Sequence, residues 1–345
     1  MKDSAIKTVR RIAMVGFDGI QVLDVTGPLE VFSRAGRLLV ERGETAAPPY
    51  EVVLAARHAG PVKASSGLAL VASATLAELG EVDTLLVSGG VGTRAALQDE
   101  LLLEWLATHA PRARRYGSVC TGALLLARAG LFDGKRVTTH WAFLQELAAL
   151  APGARIETDA IYVRDDRLWT SAGVTAGMDM ALAMVEQDWG RRLALDVAHQ
   201  LVMYVQRHSG HSQLSAMLAA QSSSAEGQFR RLVGWIHDNV AQDLSIECLA
   251  QRSDMSIRNF SRRFHEETGL TPAKFVEQTR FEAARRMLAE GDDALEKIAG
   301  LCGFGSAETL RRVFVRRTGM SPAAYRLRLQ REHAPVTALA APRGL

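Results

Sequence analysis

The sequence has little of what marks secreted, membrane-spanning or metal-dependent proteins. Its 345 residues include only three cysteines, Cys120, Cys248 and Cys302, which are too few and too scattered for a disulfide framework or a zinc site. It contains no run of about 18 apolar residues, and its N-terminal apolar run is typical of a first strand rather than of a cleavable signal. We therefore expect a cytoplasmic protein with no membrane association, no bound metal and no cofactor.

A large net charge is also lacking, but the arginines are unevenly distributed. The formal net charge is +3, which by itself is no evidence for nucleic-acid binding. After Glu308, however, Glu332 is the only acid in a stretch rich in arginine. A solvated helix face and a surface that contacts phosphates both explain such a stretch. The arginines in it are Arg311, Arg312, Arg316, Arg317, Arg326, Arg328 and Arg331.

The hydrophobic pattern divides the chain into two halves. Up to about residue 190, short β-rich runs such as "YEVVLAAR" and "KRVTTHW" alternate with runs of helical periodicity, which predicts an α/β fold with a mostly parallel sheet. Beyond the Ser-, Gln- and Ala-rich stretch that follows, the pattern favours helices alone. We predict an α/β domain over residues 8–205, a linker over 206–228, an all-α domain over 229–330 and a flexible tail over 331–345.

The second half contains an internal repeat. The stretch "LAQRSDMSIRNFSRRFHEETGLTPAKF" aligns with "IAGLCGFGSAETLRRVFVRRTGMSPAAY", and each copy predicts a helix, a tight turn and a second helix that ends at a glycine cap. A long helix is predicted between the copies. Two helix-turn-helix units joined in this way can place recognition helices in successive major grooves. The alignment, offset by 49 residues before the turn and 50 after it, pairs Ala250 with Ala299, Met255 with Phe304, Phe264 with Phe314, Gly269 with Gly319 and Pro272 with Pro322.

Helical spacing sorts the residues of the two expected recognition helices. Phe260 and Phe264 are four residues apart and are expected to face the core, and Leu310 with Phe314 does the same in the second copy. The other faces remain available to DNA, where Arg binds guanine and Thr contacts bases or phosphates. A helical dimerisation bundle with solvated arginines is the alternative, but it does not require the repeated turn. The predicted DNA-binding residues are Arg258, Asn259, Ser261, Arg262, Glu308, Thr309, Arg312 and Arg316.

The stretch "SVCTGALLLARAG" holds the candidate chemical site. Cys120 lies between small residues, after an expected strand and directly before an apolar helix, which is the arrangement of a nucleophile elbow. The positive end of the helix dipole is expected to lower the pKa of its thiol. The backbone N–H groups of Gly90 and Thr121 are candidate donors to an oxyanion or to a ligand carboxylate.

Two enzyme classes fit the surrounding residues poorly. A class I glutaminase needs a His-x-Glu pattern in the domain of the elbow cysteine, whereas His265 and Glu267 lie in an expected recognition helix. The stretch "GGVGTRA" is a partial dinucleotide fingerprint, but Glu104 falls within a helix rather than at the end of the next strand. Neither glutaminase activity nor nicotinamide binding is expected.

Both halves resemble known families. The segment from about 230 to 330 resembles the AraC/XylS family DNA-binding domain through "GFGSAETLRRVFVRRTGMSPAAYR". The N-terminal half resembles the DJ-1/PfpI superfamily, and within it the isocyanide hydratases, through "FDGIQVLDVTGPLEVF", "LLVSGGVG", "SVCTGALLLARAGLFDGKRVTTHWAF" and "LWTSAGVTAGMDMALAMVE". The resemblance implies a flavodoxin-like fold, similar to class I glutamine amidotransferases, followed by two helix-turn-helix units. The combination is similar to the GlxA-type regulators, which implies a promoter-binding protein, often a homodimer, with RNA polymerase as a further partner.

The resemblance also implies the residues of an effector pocket. The superfamily places an acid near the cysteine, which corresponds to Asp24, and His140 in "TTHW" is implied to approach the same pocket. Regulators of this type imply a small, nitrogenous effector. The predicted effector-binding residues are Asp24, Gly89, Gly90, Cys120, Thr121 and His140.

Three roles for Cys120 stay open at this point. It lines the pocket of a sensor, or it acts with Asp24 and His140 in a hydratase or hydrolase, or it senses oxidants by forming a sulfenic acid. Because the chain also carries a DNA-binding domain, ligand sensing without turnover is favoured, and the protein is not expected to be an enzyme. Effector binding is then expected to change the placement of the two domains across residues of about 191–228.

Overall fold

The computed structural model of the protein describes residues 9–203, Gln213 and residues 229–333. Each of the two long ranges contains one compact unit. The expected linker over 206–228 lies outside the described residues except for Gln213, and so does the expected tail beyond residue 333. The domain boundaries drawn from the sequence therefore stay predictions.

A seven-stranded sheet forms the centre of the first unit, in the order β10-β11-β7-β6-β1-β2-β5. All its pairings are parallel except that of β10 with β11. The other strands form two small pairs, β3 with β4 and β8 with β9. The strands are β1 (Arg10–Val15), β2 (Tyr50–Ala56), β3 (Gly60–Lys63), β4 (Ala69–Ala72), β5 (Ala74–Thr75), β6 (Thr84–Val87), β7 (Arg115–Val119), β8 (Arg136–Val137), β9 (Arg155–Ile156), β10 (Tyr162–Asp165) and β11 (Leu168–Ser171).

Helices cover both faces of this sheet. Alternate residues of β1 enter different hydrophobic clusters, Ile12 and Met14 on one face and Ala13 and Val15 on the other. Helices α1, α6 and α7 contribute to the first cluster, and α3, α4 and α5 contribute to the second. The predicted α/β fold with a mostly parallel sheet is confirmed. The helices are α1 (Val22–Glu41), α2 (Thr93–Ala96), α3 (Glu100–His109), α4 (Gly122–Arg128), α5 (Leu144–Leu150), α6 (Thr175–Trp189) and α7 (Arg191–Gln200).

The stretch "KRVTTHW" differs from its prediction as a strand. Only Arg136–Val137 is extended and paired, and it joins β9 rather than the main sheet. The next two residues are bonded through side chains instead of a strand ladder: the Thr138 N–H donates to Thr170 Oγ1 at 2.8 Å, and the Thr139 hydroxyl donates to the Cys120 carbonyl at 2.8 Å. Side-chain bonds of this kind compete with regular structure.

A buried ion-pair network lies at the end of the sheet where the parallel strands begin. Arg115 on β7 and Asp188 on α6 have side chains 2% exposed, and the nearest atoms of the pair lie 2.7 Å apart. Arg10 and Arg114 also pair with Asp188, at 2.9 and 3.0 Å. The Tyr50 hydroxyl donates to the same carboxylate at 2.8 Å. Buried charges need such partners, so the network anchors the end of α6 to the sheet.

The second unit consists of helices in the part that the structure describes, and it has two hydrophobic cores. One core surrounds Phe260 and Phe264, and the other surrounds Leu310 and Phe314. The predicted all-α domain with two helix-turn-helix units is confirmed. None of the helices in the described residues is long and apolar enough to cross a membrane. The helices are α8 (Arg230–Asp238), α9 (Ile246–Arg252), α10 (Ile257–Thr268), α11 (Pro272–Glu290), α12 (Leu295–Leu301), α13 (Ala307–Thr318) and α14 (Pro322–His333).

The repeat seen in the sequence is a structural repeat, and one glycine explains its change of offset. The turns after α9 and α12 each contain a residue with positive φ, Asp254 at 52° and Gly303 at 73°. In the first copy, the Ser256 N-cap of α10 comes directly after Met255. In the second copy, Gly305 is inserted before the Ser306 N-cap of α13, and its φ of 71° is a conformation that glycine adopts without strain.

Candidate effector site and DNA-binding surface

The elbow expected around Cys120 is present at the carboxyl end of β7. The chain leaves the strand at Val119, passes through Cys120 with a φ of 55°, and enters α4 at Gly122. The Cys120 N–H donates to the Ser171 carbonyl at 3.0 Å, which ties the elbow to the end of β11. A positive φ is strained for any residue with a side chain, and such strain concentrates at functional sites.

Two glycines leave room for this elbow. A Cβ atom on Gly173 would lie 2.3 Å from the Cys120 Cβ, and one on Gly89 would lie 2.6 Å from the Thr121 nitrogen. Real Cβ atoms essentially never approach so closely, so a side chain at either position would force the elbow or its neighbours to move. Gly89 was predicted from the sequence. Gly173 was missed, although it lies in "LWTSAGVTAGMDMALAMVE", one of the stretches that carry the family resemblance.

Asp24 is the buried acid of the site. It lies in the first turn of α1, with no exposed surface, and accepts hydrogen bonds from the Val174 N–H at 2.7 Å and the Gly89 N–H at 3.2 Å. The Cys120 thiol also hydrogen-bonds to it. Burial raises the pKa of Asp24 to about 6, although the hydrogen bonds from Val174, Gly89 and Cys120 oppose this change. The site therefore brings Asp24, Gly89 and Cys120 together, as the sequence predicted.

The expectation of a lowered Cys120 pKa is wrong. Burial and the nearby Asp24 carboxylate raise the pKa of the Cys120 thiol to about 12, and the hydrogen bonds from the Thr121 N–H and hydroxyl only partly oppose them. The seven-residue helix α4 begins beside the sulfur, but its dipole acts against both stronger effects. At neutral pH the site therefore holds a protonated thiol that donates to a carboxylate.

Both expected oxyanion donors, the N–H groups of Gly90 and Thr121, are hydrogen-bonded within the site. The Gly90 N–H donates to the Thr121 hydroxyl oxygen at 2.9 Å, and that hydroxyl also lies 2.8 Å from Thr93 Oγ1. A side chain of the protein thus bonds to the Gly90 N–H, and the role of this group as a donor to an oxyanion or ligand stays a prediction. The Thr121 N–H instead hydrogen-bonds to the Cys120 sulfur. Thr121 thus links the loop after β6 to the elbow through its hydrogen bonds to Gly90 and Cys120.

His140 lies just after the segment that contacts the elbow. Its Nδ1 accepts from the Ala142 N–H at 3.3 Å, and its ring packs near the rings of Trp141 and Phe143. Burial lowers the pKa of His140. Within the described part of the chain, no hydrogen bond joins it to Cys120 or Asp24, so its place in the pocket stays a prediction.

The raised pKa of Asp24 predicts a specific dependence of stability on pH. Between about pH 4 and 6 the folded protein retains the Asp24 proton while the unfolded chain loses it, so the free energy of unfolding falls as the pH rises through this window. The expected loss is about 3 kcal/mol. Urea unfolding of the wild type and of Asp24→Asn at several pH values isolates this contribution in their difference. A difference that stays constant from pH 4 to 6 would contradict it.

The raised pKa of Cys120 predicts a slow thiol. At pH 8, iodoacetamide is expected to modify Cys120 at least about a hundredfold more slowly than the partly exposed Cys248, because the thiolate is the reactive form. Asp24→Asn should accelerate the reaction about tenfold per unit by which the pKa falls. Peptide mass spectrometry of timed samples measures both rates. Modification of Cys120 before Cys248 would indicate an activated nucleophile instead.

The two recognition helices bury the residues that the sequence assigned to the core. Phe260 and Phe264 of α10 are fully buried, and so are Leu310 and Phe314 of α13. Both helices begin at a serine N-cap and end at a glycine with a φ of 72°. The sequence prediction of their buried faces is confirmed.

The opposite faces carry arginines of two kinds. Arg262 pairs with Glu266 at 2.9 Å, and Arg316 pairs with Glu277 of α11. Arg258 and Arg312 are exposed, and no acid pairs with either among the residues that the structure describes. These two guanidinium groups need to give up no ion pair before they contact DNA.

The other predicted DNA-binding residues, Ser261, Thr309, Glu308 and Asn259, make hydrogen bonds or ion pairs within their own helices or helix caps. The Ser261 hydroxyl donates to the Ile257 carbonyl at 2.7 Å, and the Thr309 N–H donates to the hydroxyl of its N-cap Ser306 at 3.2 Å. Glu308 pairs with Arg311 at 2.8 Å on the exposed side of α13. Asn259 lies beside Arg262, whose guanidinium donates to its side chain at 3.2 Å. Contacts of these residues with DNA stay predictions.

The two units together define the class of protein. An α/β domain with a buried thiol and carboxylate is joined to a domain with two helix-turn-helix units, which is the organisation of an AraC-type transcriptional regulator. Residues 10–187 match the DJ-1/PfpI family, and residues 249–328 match a helix-turn-helix domain. The chain belongs to the DJ-1/PfpI family. The resemblance inferred from the sequence is thereby confirmed.

Similar proteins include a regulator and an enzyme. An HTH-type transcriptional regulator of Mycobacterium tuberculosis is 32% identical over 265 residues, which cover 71% of this chain and 95% of that protein. An isonitrile hydratase of Pseudomonas putida is 37% identical over 177 residues, 51% of this chain and 71% of the enzyme. A crystal structure of a ThiJ/PfpI family protein from Pseudomonas syringae has 31% identity and a TM-score of 0.52, covering 65% of this chain and 86% of that one. The similarity to the regulator extends over more of the chain than the similarity to the enzyme.

Proposed function

We propose that this transcriptional regulator senses a small nitrogenous metabolite through its DJ-1/PfpI domain and changes its binding to promoter DNA in response. The observation that carries the proposal is the buried Asp24 carboxylate beside the Cys120 thiol, on a chain that also carries two recognition helices. A buried carboxylate is a strong acceptor for ammonium and N–H groups. A ligand with such a group would stabilise the ionised form of Asp24.

The geometry supports sensing better than turnover. Nucleophilic attack requires a thiolate, whereas burial and Asp24 raise the pKa of Cys120. The Gly90 N–H, one of two expected oxyanion donors, is bonded to Thr121. No histidine in the described residues hydrogen-bonds to the thiol to act as its base. Ligand binding needs none of these groups to be activated.

A second candidate function is a weak hydratase or hydrolase activity of the same domain. The similarity to an isonitrile hydratase and the direct contact of Cys120 with Asp24 favour it. Cys120→Ala distinguishes the two functions. It should abolish turnover of an isocyanide in an enzyme, but in a sensor it should change the response to effector and leave DNA binding intact.

The partners of the proposed regulator follow from its resemblance to the GlxA-type proteins. They comprise promoter DNA, a small-molecule effector, a second copy of the chain and RNA polymerase. Each chain already supplies two recognition helices, so a homodimer would present four. Sedimentation of the protein with and without selected DNA measures the stoichiometry.

The decisive experiment is selection of bound fragments from sheared genomic DNA by the full-length protein at near-physiological salt. We expect one enriched motif upstream of a catabolic operon, and its affinity should change when small amines and amino-acid derivatives are added. Asp24→Asn should weaken this response without changing the motif. Failure of the wild type to enrich any motif contradicts the proposal. Enrichment without any response to metabolites, together with isocyanide hydration that Cys120→Ala abolishes, supports the enzyme instead.

The unpaired arginine of the second recognition helix predicts a loss of base preference. Arg312→Ala is expected to weaken binding to the selected motif by about 1–3 kcal/mol and to relax the preference at one base pair, and Arg262→Ala should do the same from α10. Titrations of labelled duplexes at several salt concentrations measure the affinity and its salt slope. Arg57→Ala is the matched control, because it removes an exposed arginine of the first unit. Equal affinities for Arg312→Ala and Arg57→Ala would contradict the assignment.

A further inference from the structure

We infer that one face of α11, carrying Glu277 and Arg280, is a clamp that sets the distance between the two recognition helices and thereby the spacing of the DNA half-sites that the protein accepts. This inference rests on the DNA-binding function. Glu277 and Arg280 are three residues apart and so lie on the same side of the helix. Each of them contacts a different part of the second unit.

Arg280 holds the loop that follows α8. Its Nε donates to the Val240 carbonyl at 3.0 Å, and its Nη2 donates to the Gln242 carbonyl at 2.8 Å. Val240 itself packs against the core of the second helix-turn-helix unit. Within the second unit, α11 therefore joins a loop of the first half, which contains the first helix-turn-helix copy, to the second half, which contains the second copy.

Gly303, in the turn of the second copy, packs against the contact between Arg280 and Val240. A Cβ atom there would lie 2.3 Å from the Val240 carbonyl oxygen and 2.8 Å from Arg280 Nε. The equivalent residue of the first copy is Asp254, which has a side chain. The second turn thus differs from the first where it must pass close to Arg280.

Glu277 holds the end of the second recognition helix. Its carboxylate pairs with Arg316 and, at 3.1 Å, with Arg317, both in the last turn of α13. Glu277 and Arg280 line a cleft of about 550 Å³, together with Ser245 before the first helix-turn-helix copy and Thr309 in the second. The halves are therefore joined by polar contacts at its margin.

This arrangement bears on how the two halves are oriented. Their hydrophobic cores are separate clusters, and α11 contributes Phe275 to one and Phe281 to the other. Apolar packing therefore holds each half together more than it holds one half to the other. The contacts of Glu277 and Arg280 supply that second restraint. With both in place, we expect the two recognition helices to bind half-sites about one helical turn apart.

The test uses duplexes built from the motif that the wild type selects, with the distance between half-sites changed by one base pair. The readout is the ratio of affinities for the original and the altered duplex. We expect a ratio of about ten or more for the wild type and about three or less for Glu277→Gln and Arg280→Met. Release of Arg316 from Glu277 is expected to change the affinity for both duplexes by the same factor, which cancels in the ratio.

Asp293→Asn is the matched control, because it removes one acid from an exposed pair with Lys297 and leaves the clamp intact. It should retain the ratio of the wild type. Thermal unfolding of each variant confirms that Arg280→Met remains folded, and Glu277→Gln carries the test alone if it does not. A wild-type ratio in a folded Glu277→Gln protein overturns the clamp. Failure of the wild type to select any motif contradicts DNA recognition itself, and the clamp with it.

Discussion

Replacement of Gly173 by alanine is expected to destabilise the first unit by about 3 kcal/mol or more and to abolish its response to effector. The new Cβ would lie 2.3 Å from the Cys120 Cβ, so the elbow or the end of β11 must move. The φ of 97° at Gly173 adds strain for any residue with a side chain. Urea unfolding followed by tryptophan fluorescence reports mainly on this unit, because it contains Trp105, Trp141, Trp169 and Trp189.

Gly130→Ala is the control that separates the collision from the strain. Gly130 also has a positive φ, of 77°, but nothing lies within 4 Å of the Cβ that alanine would add. Its cost is expected to be about 1 kcal/mol, from backbone strain alone. Both variants should retain DNA affinity, since the recognition helices belong to the other unit. Equal destabilisation by the two substitutions would refute the close packing of Gly173 on Cys120.

Asp188→Asn should have the largest effect on stability among single charge changes in the first unit. The substitution leaves the fully buried Arg115 without its carboxylate, and it removes one partner from Arg10 and from Arg114. Loss of one member of a buried ion pair typically costs about 3–5 kcal/mol. The measurement is again the free energy of unfolding in urea.

Asp196→Asn provides the comparison for that variant. Asp196 pairs with Arg42 at 2.6 Å on the surface, and both side chains are about one-third exposed. Exposed pairs contribute about 1 kcal/mol or less. If Asp188→Asn is no more destabilising than Asp196→Asn, the network at the start of the strands does not anchor α6.

Periodicity and repetition were enough to predict the helical half of the protein. The four-residue spacing of Phe260 and Phe264 identified the buried face of α10, and the aligned pair Gly269 and Gly319 identified the ends of both recognition helices. These features depend on neighbours within one or two helical turns, which a local pattern contains. The change of offset was visible as well, but only the structure assigns it to Gly305.

The chemical site was predicted in part. The elbow at Cys120 follows from local residues, but the pKa of its thiol depends on Asp24, which a different part of the chain brings into the same buried space. The hydrogen bond of the Gly90 N–H is also a tertiary effect, because the Thr121 hydroxyl reaches it across the site. The pairing of Arg316 with Glu277 has the same origin. Local sequence patterns do not say which side chains from distant parts of the chain pack against the site.

Helix α11 limits how the DNA-binding half can be divided. Its first turns pack in the core around Phe264 and its later turns in the core around Phe314, so the helix belongs to both helix-turn-helix units. A fragment cut to keep one unit would either lose part of its own core or display the apolar face that the missing unit covered. Exposed faces of that kind promote aggregation. The smallest portable DNA-binding fragment of this chain therefore contains both copies of the repeat.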